Sequence, residues 1–350
     1  MKIETTASGK VFFSGEYMAL EGGRAITLST PQSAKVSISE SNETDNLFFS
    51  SMSDQVYPFR IDENMRLIWL EQDPKHLGSI LKESIEQFDK SFSGKSISID
   101  TSDFFYEQRK IGVGSSSAVS VAITKALNQL FDLRLTSKSI IDHAREIHNR
   151  SQDSNGSGFD IITSFMEVRS LACRILDNGA HDYEQIGIPE EINILAVVND
   201  EYVQTSEMIG KYESAKNKYT DYFSQHAPKM KHELELLYES ILESNNESIF
   251  QYLAEYNESI VDMNNVFNLG IFNNHLELIK LAKDEGVFYK PSGSGGGDIG
   301  IVICDDKLKL DRFKSKSDLI IANRKDPQLS DVTDKLYCRD VFSEGGEGTT

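Results

Sequence analysis

The chain has 350 residues, of which 39% are hydrophobic and 26% are charged, and its formal net charge is −19. This length is sufficient for a large core and favours two domains over one. The composition is typical of a soluble globular protein. The acidic balance disfavours nucleic acid or an anionic membrane as a partner, because both attract basic surfaces. We therefore expect a small-molecule ligand, and the sequence leaves the oligomeric state open.

The sequence has no stretch typical of a membrane-spanning helix or of a signal peptide. No apolar run approaches the roughly 20 residues that cross a bilayer, and the N-terminus lacks the basic and apolar regions of a signal peptide. We therefore expect a cytoplasmic protein. Cys173, Cys304 and Cys338 are widely spaced, which argues against a disulfide framework or a cysteine zinc site.

The N-terminal part combines a glycine-bracketed strand with further strands and one helix. Lys10 comes just before the short apolar segment 11–14, between Gly9 and Gly15. A lysine at this place can reach inward to a ligand, but a solvated lysine at the start of a strand is the commoner case. The pattern further predicts strands at 25–29, 34–39, 56–61 and 96–100 and a helix at 76–88.

A loop of glycines and serines, Gly112-Val-Gly-Ser-Ser-Ser-Ala, leads directly into a run with helical spacing from Ala118 to Leu130. Glycines allow a close backbone approach, and the first N–H groups of a helix attract anions. The loop is therefore a candidate phosphate site. The alternative is that the serines only cap the helix.

The commoner phosphate-binding loop does not fit this chain. Gly94-Lys95-Ser96 matches the end of that motif, but Asp89 stands where its first glycine is required. A Walker-type phosphate-binding loop at residues 89–96 is therefore excluded.

A polar loop after a second predicted helix, at 138–150, delivers Asp160 to the start of a short helix. A carboxylate in this place could orient or deprotonate a hydroxyl. It could equally be an acidic residue that stabilises a helix N-terminus.

The second half of the chain changes character near residue 185. A strand at 192–198 is followed by long helices whose apolar stripes indicate core packing. Five of the eleven residues 290–300 are glycine, and a strand-like segment follows at 299–304. Because that strand begins at once, this glycine loop approaches a ligand more plausibly than it links domains. A strand at 319–322 and a disordered tail at 343–350 complete the prediction.

Three motifs in this order resemble the signatures of the GHMP kinase superfamily: Gly9-Lys10 with Gly15-Glu-Tyr, the serine loop, and Lys290-Pro-Ser-Gly-Ser-Gly-Gly-Gly-Asp. The resemblance spans residues 7 to about 304. The Gly15-Glu-Tyr sequence, Lys110 two places before Gly112 and the lysine-led third motif are most similar to the branch that acts on phosphomevalonate.

The resemblance implies a two-domain α+β GHMP-kinase fold with a ferredoxin-like C-terminal domain. The N-terminal ATP-binding domain would comprise residues 1–185 and the C-terminal domain residues 186–342. The implied cofactors are ATP and Mg²⁺. The implied activity is ATP-dependent phosphoryl transfer to a small phosphorylated alcohol, most closely phosphomevalonate of the isoprenoid pathway.

The resemblance also implies roles for individual residues. Asp160 would be the catalytic carboxylate, Lys10 would lie near the acceptor and the transferred group, and Lys110 would contact phosphate. Ser116 would help to hold magnesium. The residues that would cradle the ATP phosphates are Gly112, Gly114, Ser115, Ser116, Ser117 and Ala118. The third-motif residues that would bind substrate, beside Lys10 and Lys110, are Ser292, Gly293, Gly295 and Gly296.

Some positions depart from the family pattern. Ser8 and Ser117 replace a proline and an alanine, and both are small residues that leave binding possible. Asp200 and Glu201 make one segment more acidic than a phosphorylated acceptor would favour. The alternatives are therefore a mevalonate kinase or another small-alcohol GHMP kinase, a related decarboxylase, and a non-catalytic ligand sensor of the same fold.

Overall fold

A computed structural model describes residues 2–106, 109–153, 156–199, 203–297, 299–316, 320–322 and 336–338, the last two ranges as backbone only. The chain divides into two compact units. The first unit comprises Met1–Lys10 and Gln32–Glu167, and the second comprises Val11–Pro31 and Val168–Thr350. Two long strands, β1 (Lys2–Ser14) and β2 (Ala25–Glu40), contribute residues to both units.

The remaining strands of the first unit are β3 (Asn46–Ser50), β4 (Ser53–Ile61), β5 (Leu67–Trp69), β6 (Lys95–Asp100), β7 (Phe105–Tyr106) and β8 (Arg109–Lys110). The second half of β2 pairs antiparallel with β6, and β6 pairs parallel with β3. β3, β4 and β5 follow one another as antiparallel neighbours. β3 and β4 form a hairpin whose turn lies at residues 51–52.

The helices of the first unit are α1 (His76–Phe88), α2 (Ser115–Leu130), α3 (Ser137–Gln152) and α4 (Phe159–Met166). α2 packs against α3 and α4, and α1 packs against α2 and α3. The Thr5 hydroxyl donates to the carbonyl of Ala122 at 2.7 Å, which joins β1 to α2. α2 is buried along most of its length because short residues, mainly alanine and serine, allow its neighbours to approach.

In the second unit, the first half of β2 pairs with β9 (Ser170–Ile175), and β9 pairs with β10 (His181–Gln185), both antiparallel. A separate sheet has the order β12 (Phe288–Pro291), β13 (Ile299–Cys304), β11 (Asn193–Val198), β14 (Ile320–Ala322) and β15 (Leu336–Cys338). β13 is buried throughout, so its apolar run covers both faces.

The helices of the second unit are α5 (Thr205–Lys218), α6 (Thr220–Leu242), α7 (Asn246–Phe267), α8 (Leu276–Glu285) and α9 (Lys307–Ser315). α5, α6 and α7 share an apolar cluster with Tyr17 and Met18. α8 and α9 pack on the sheet through a second cluster that includes Val302 and Phe313. The apolar stripes of α6 and α7 are core, as predicted.

The mixed α+β class is confirmed by this arrangement, and two strand predictions are corrected. Lys10 lies inside β1, because the alternation of buried Ile3, Thr5 and Ala7 extends the strand towards the N-terminus. The predicted strands at 25–29 and 34–39 form the single strand β2, and Pro31 falls between its segment paired with β9 and its segment paired with β6.

Several predictions fall outside the described residues, namely the tail 343–350, the segment Asp200 and Glu201, and Asp298 of the third motif. The domain limits at 185 and 342 stay a prediction. Cys173 and Cys304 are buried free thiols. Within the part of the chain that the structure describes, no helix has both the length and the apolar character to cross a bilayer.

Candidate active site

The serine loop enters α2 through two glycines in the left-handed region. Gly112 has a φ of 73° and Gly114 a φ of 81°, which residues with a side chain adopt at a cost. α2 begins at Ser115 with Gly114 as its N-cap residue. Gly114 has no side chain that could cap the helix. The N–H of Ala118 donates to the carbonyl of Gly114 at 3.2 Å and so closes the first turn. The N–H groups of the three serines therefore form the open end of the helix.

Lys10 lies against this loop. Its backbone N–H donates to the carbonyl of Val113 at 2.8 Å, so β1 holds the loop in place. A Cβ atom on Gly114 would stand 3.0 Å from Lys10 Cε and 3.1 Å from Ser117 Oγ. The alkyl chain of Lys10 thus passes directly over Gly114, which brings its ammonium group close to the helix N-terminus.

The three serines of the loop differ in what their side chains do. Ser115 and Ser117 are buried. The Ser117 hydroxyl donates to the carbonyl of Gly114 at 2.8 Å and accepts from the hydroxyl of Ser164 at 3.3 Å. Ser116 is half-buried, and its hydroxyl lies 3.2 Å from Nε2 of His148. Ser116 therefore offers a ligand its side chain, whereas Ser117 is engaged in the core.

Asp160 occupies the first turn of α4, directly after the left-handed Gly158 and Phe159. Its side chain is 24% exposed, and its Oδ2 lies 3.8 Å from Nε2 of His148. α2, α3 and α4 thus bring Ser116, His148 and Asp160 together within the first unit.

Lys110, on the short strand β8, contributes to a basic environment near the same helices. Desolvation of the ring, followed by the charges of Lys110 and His148, lowers the pKa of His76 at the start of α1. These basic groups are therefore close enough to influence one another. In a protein of net charge −19, a lysine whose charge acts on these helices favours an anionic ligand.

Sequence reasoning missed His148 and His76. His148 lies in the polar helix α3, where its identity alone does not distinguish it from a solvated histidine. A usable signal is that α3 precedes the loop that delivers Asp160, so residues at its C-terminal end have to lie near that carboxylate. His76 had no such signal, because it stands at the N-terminal end of a helix far away in sequence.

In the second unit, the glycine loop of the third motif is held by the segment that follows Lys10 in the chain. The Ser292 hydroxyl accepts from the N–H of Phe12 and donates to its carbonyl, both at 2.9 Å. The Tyr17 hydroxyl donates to the carbonyl of Ser294 at 2.6 Å. Gly293, Gly295 and Gly296 all have positive φ angles, between 70° and 82°.

A buried ion pair joins the same two motifs. The Lys290 ammonium donates to Oε1 of Glu16, and the side chains are 5% and 7% exposed. Oε2 of Glu16 is buried without a hydrogen-bond partner, and the hydroxyl of Tyr256 donates to the Glu16 carbonyl at 2.5 Å. The first and third motifs therefore form one bonded cluster within the second unit.

A cavity of about 560 Å³ lies beside the third motif, again within the second unit. Met208 and Leu269 give it an apolar part. Its polar lining comprises Gln204, Glu207, Lys211, Asn273 and Asn274. The amide of Asn274 donates to the carbonyl of Gly296 at 2.6 Å. The cavity is therefore connected to the glycine loop by a direct hydrogen bond.

The first unit fits a nucleotide phosphate and a magnesium ion. The open N-terminus of α2 and the adjacent Lys10 suit phosphate oxygens. No group of three or more His, Cys, Asp or Glu side chains that could enclose a metal occurs among the described residues. At nucleotide sites Mg²⁺ is commonly bound by a carboxylate or by a serine or threonine hydroxyl, together with substrate phosphates and waters. Ser116 and a bound nucleotide would supply such ligands.

Known proteins with similar sequences and structures point to the same family. Residues 79–167 match the family described as GHMP kinases N terminal domain. The chain is 25% identical over 339 residues to a phosphomevalonate kinase of Saccharolobus solfataricus, covering 93% of this chain and 98% of that protein. A phosphomevalonate kinase of a Streptomyces species is 22% identical over 342 residues, covering 87% and 90%.

The fold also matches a solved kinase of this kind. The structure of Streptococcus pneumoniae phosphomevalonate kinase in complex with phosphomevalonate and AMPPNP superposes with a TM-score of 0.71. It is 20% identical in sequence, and the match covers 89% of this chain and 95% of that one. The three motifs, the match of residues 79–167 and the α+β architecture agree with one another, and in these respects the chain is similar to the GHMP kinases.

Proposed function

We propose that this protein is an ATP-dependent kinase that phosphorylates phosphomevalonate to diphosphomevalonate. The observation that carries the proposal is the assembly of Lys10, the open N-terminus of α2 and Asp160 in the first unit. A carboxylate, a lysine and an oriented set of N–H groups are the parts that phosphoryl transfer requires, because positioning and charge stabilisation supply most of its catalysis.

Each part has a distinct task in the proposed reaction. The loop from Gly112 to Ala118 binds the ATP phosphates through its N–H groups, and Lys10 stabilises negative charge on the transferred group. Asp160 orients the acceptor hydroxyl or accepts its proton. ATP would provide the transferable phosphoryl group, and Ser116 would help to hold Mg²⁺, whose charge would stabilise the phosphates. Because Lys10 packs over Gly114, loop and lysine act as one preformed element.

The choice of a phosphorylated acceptor rests on charge and on the relatives. The charge of Lys110 acts on His76 at the start of α1, and in the proposed reaction Lys10 and Lys110 would balance the charges of the two phosphate groups. Two relatives that cover most of the chain are phosphomevalonate kinases. The third-motif residues Ser292, Gly293, Gly295 and Gly296 would contact the acceptor. We further propose that residues 1–185 form the ATP-binding domain and residues 186–342 the C-terminal domain of the GHMP-kinase fold.

A second candidate acceptor is mevalonate itself. An L. major mevalonate kinase in complex with R-mevalonate has a similar fold, with a TM-score of 0.69 and 16% identity. A non-catalytic sensor is the less favoured reading, because a protein that only binds a ligand has no need of Asp160 beside a phosphate site.

The proposal is tested by measuring ADP release from ATP and Mg²⁺ with mevalonate, phosphomevalonate or diphosphomevalonate as the only acceptor. We expect turnover with phosphomevalonate and a diphosphorylated product by mass spectrometry. Turnover with mevalonate alone would replace the proposed acceptor. Binding of ATP without turnover of any of the three would favour another acceptor or the sensor.

A further inference from the structure

His148 stands between the two polar groups of the first unit that the proposed reaction uses. It projects from α3, and its side chain is 15% exposed. Its Nε2 atom lies 3.2 Å from the hydroxyl of Ser116 on α2 and 3.8 Å from Oδ2 of Asp160 on α4. The first distance is a hydrogen bond and the second is not. One ring nitrogen thus bonds the serine and leaves the carboxylate beyond hydrogen-bond range.

The hydroxyl of Ser116 differs in direction from other hydroxyls of α2. Serine and threonine side chains in helices commonly bond back to a carbonyl in the preceding turn. Ser117 does so to Gly114, Ser120 to Ser116 and Thr124 to Ser120, at 2.7 to 2.9 Å. Ser116 lies in the first turn of α2, where no preceding turn offers a carbonyl, and its hydroxyl bonds to His148 instead. The histidine therefore holds Ser116 in an outward rotamer that its helix does not impose.

We propose that His148 is a positioning residue that holds the Ser116 hydroxyl in the orientation required to bind nucleotide-associated Mg²⁺. The proposal rests on the function proposed above, because Ser116 is a magnesium ligand only in a GHMP kinase that binds Mg-ATP. Partners that orient a metal ligand typically change metal affinity 10- to 100-fold when removed. His148 acts through Ser116 and does not itself touch the metal.

Three substitutions of His148 test whether the bond to Ser116 requires a group at the position of Nε2. The amide group of glutamine can reach the position of Nε2, whereas that of asparagine reaches only the position of Nδ1. His148→Gln should therefore preserve the bond to Ser116, and His148→Asn and His148→Ala should lose it. His143→Ala is the matched control, because His143 lies on the same helix but contacts Gln87 and Phe88.

The readout is binding of AMPPNP by isothermal titration calorimetry, once with Mg²⁺ and once with EDTA, so that no acceptor is needed. We expect His148→Ala and His148→Asn to weaken binding with Mg²⁺ by about 10-fold and to leave binding in EDTA unchanged. His148→Gln and the His143 control should stay within about 3-fold of the wild type. Thermal melting establishes that each variant is folded.

A double mutant tests whether the effect passes through Ser116. If it does, His148→Ala has no further effect on Mg²⁺-dependent binding in a Ser116→Ala background. Equal losses with Mg²⁺ and with EDTA, equal behaviour of the Asn and Gln variants, or additive losses in the double mutant would each overturn the proposal.

The same data distinguish this inference from the proposed function. The expected binding pattern in a protein that phosphorylates none of the three alcohols would overturn the proposed function and uphold the role of His148. Turnover of phosphomevalonate without that binding pattern would uphold the proposed function and overturn the role of His148.

Discussion

The ammonium of Lys290 and the carboxylate of Glu16, 274 positions apart in sequence, form an ion pair from which water is almost completely excluded. Glu16 belongs to the first motif and Lys290 begins the third. The pair therefore ties the glycine loop to the segment that immediately follows Lys10. Replacing only one of the two residues leaves the other charge buried without a partner. This is the change that destabilises a protein most strongly at a buried ion pair.

We expect Lys290→Met to destabilise the protein by about 3 kcal/mol or more, because the Glu16 carboxylate then stays buried without its partner. The double variant Glu16→Gln with Lys290→Met should recover part of this loss, since no full charge is left. Urea unfolding followed by circular dichroism measures both effects. A double variant that is less stable than the single variant would contradict this account of the pair.

Gly114→Ala should weaken nucleotide binding. The substitution strains a backbone with a φ of 81° by about 1 kcal/mol, and its Cβ would press on Lys10 Cε at 3.0 Å and on Ser117 Oγ at 3.1 Å. We expect at least a 10-fold rise in the Kd for AMPPNP, because the strain and the displaced Lys10 both act on the phosphate site. Gly156→Ala is the control, since its Cβ would meet nothing within 4 Å. Equal Kd values for the two variants would argue against a preformed loop.

The two glycines Gly293 and Gly295 give a matched pair for the third motif. Both have positive φ angles, 78° and 70°, so alanine strains the two backbones similarly. A Cβ on Gly295 would lie 2.5 Å from Cγ2 and 3.0 Å from the carbonyl oxygen of Ile271, whereas one on Gly293 would meet nothing within 4 Å. We expect Gly295→Ala to lower the melting temperature clearly more than Gly293→Ala does. The reverse order would contradict the packing described for this loop.

His275 makes stability depend on pH. Burial lowers the pKa of His275 to about 4, against a smaller opposing effect of the Gly297 backbone. Its Nδ1 lies 2.8 Å from the hydroxyl of Tyr289, and burial raises the pKa of Tyr289, so the phenol stays protonated and can donate to an unprotonated Nδ1. Neutral His275 therefore fits the folded state.

The sign of this effect follows from the direction of the shift. Below pH 6.5 the unfolded chain binds a proton that the folded His275 does not, so stability falls as the pH decreases towards 4. Between pH 7 and pH 5 the wild type should lose about 2 kcal/mol more than His275→Asn, which keeps an acceptor for Tyr289 but does not titrate. Urea unfolding at the two pH values measures this difference. Parallel losses in the two proteins would refute the role of His275.

Local patterns predicted several elements of the fold well. The spacing of apolar residues predicted α1 at 76–88 with both ends correct, because an amphipathic helix places its stripe at a regular period. Glycines and serines before an apolar run predicted the entry of a loop into α2, although the helix begins at Ser115, three residues before the predicted run. The position of Asp160 at the beginning of a short helix also followed from its loop.

Long-range relationships could not be predicted in the same way. The pairing of Glu16 with Lys290 and the approach of His148 to Ser116 depend on tertiary packing, and no period in the sequence encodes them. The N-terminal half of β1 was missed because its buried positions include Thr5 and Ser8, which carry no apolar signal. Residue roles taken from the family resemblance stay predictions until they are measured.

The central claim is that Asp160 serves phosphoryl transfer and not nucleotide binding or folding. A single-turnover experiment with phosphomevalonate, comparing the wild type with Asp160→Asn, tests it most directly when AMPPNP affinity is measured on the same samples. We predict an unchanged affinity and a transfer rate that is at least about 100-fold lower in the variant. A variant that transfers phosphate at the wild-type rate, or a wild type that transfers none, would contradict the account.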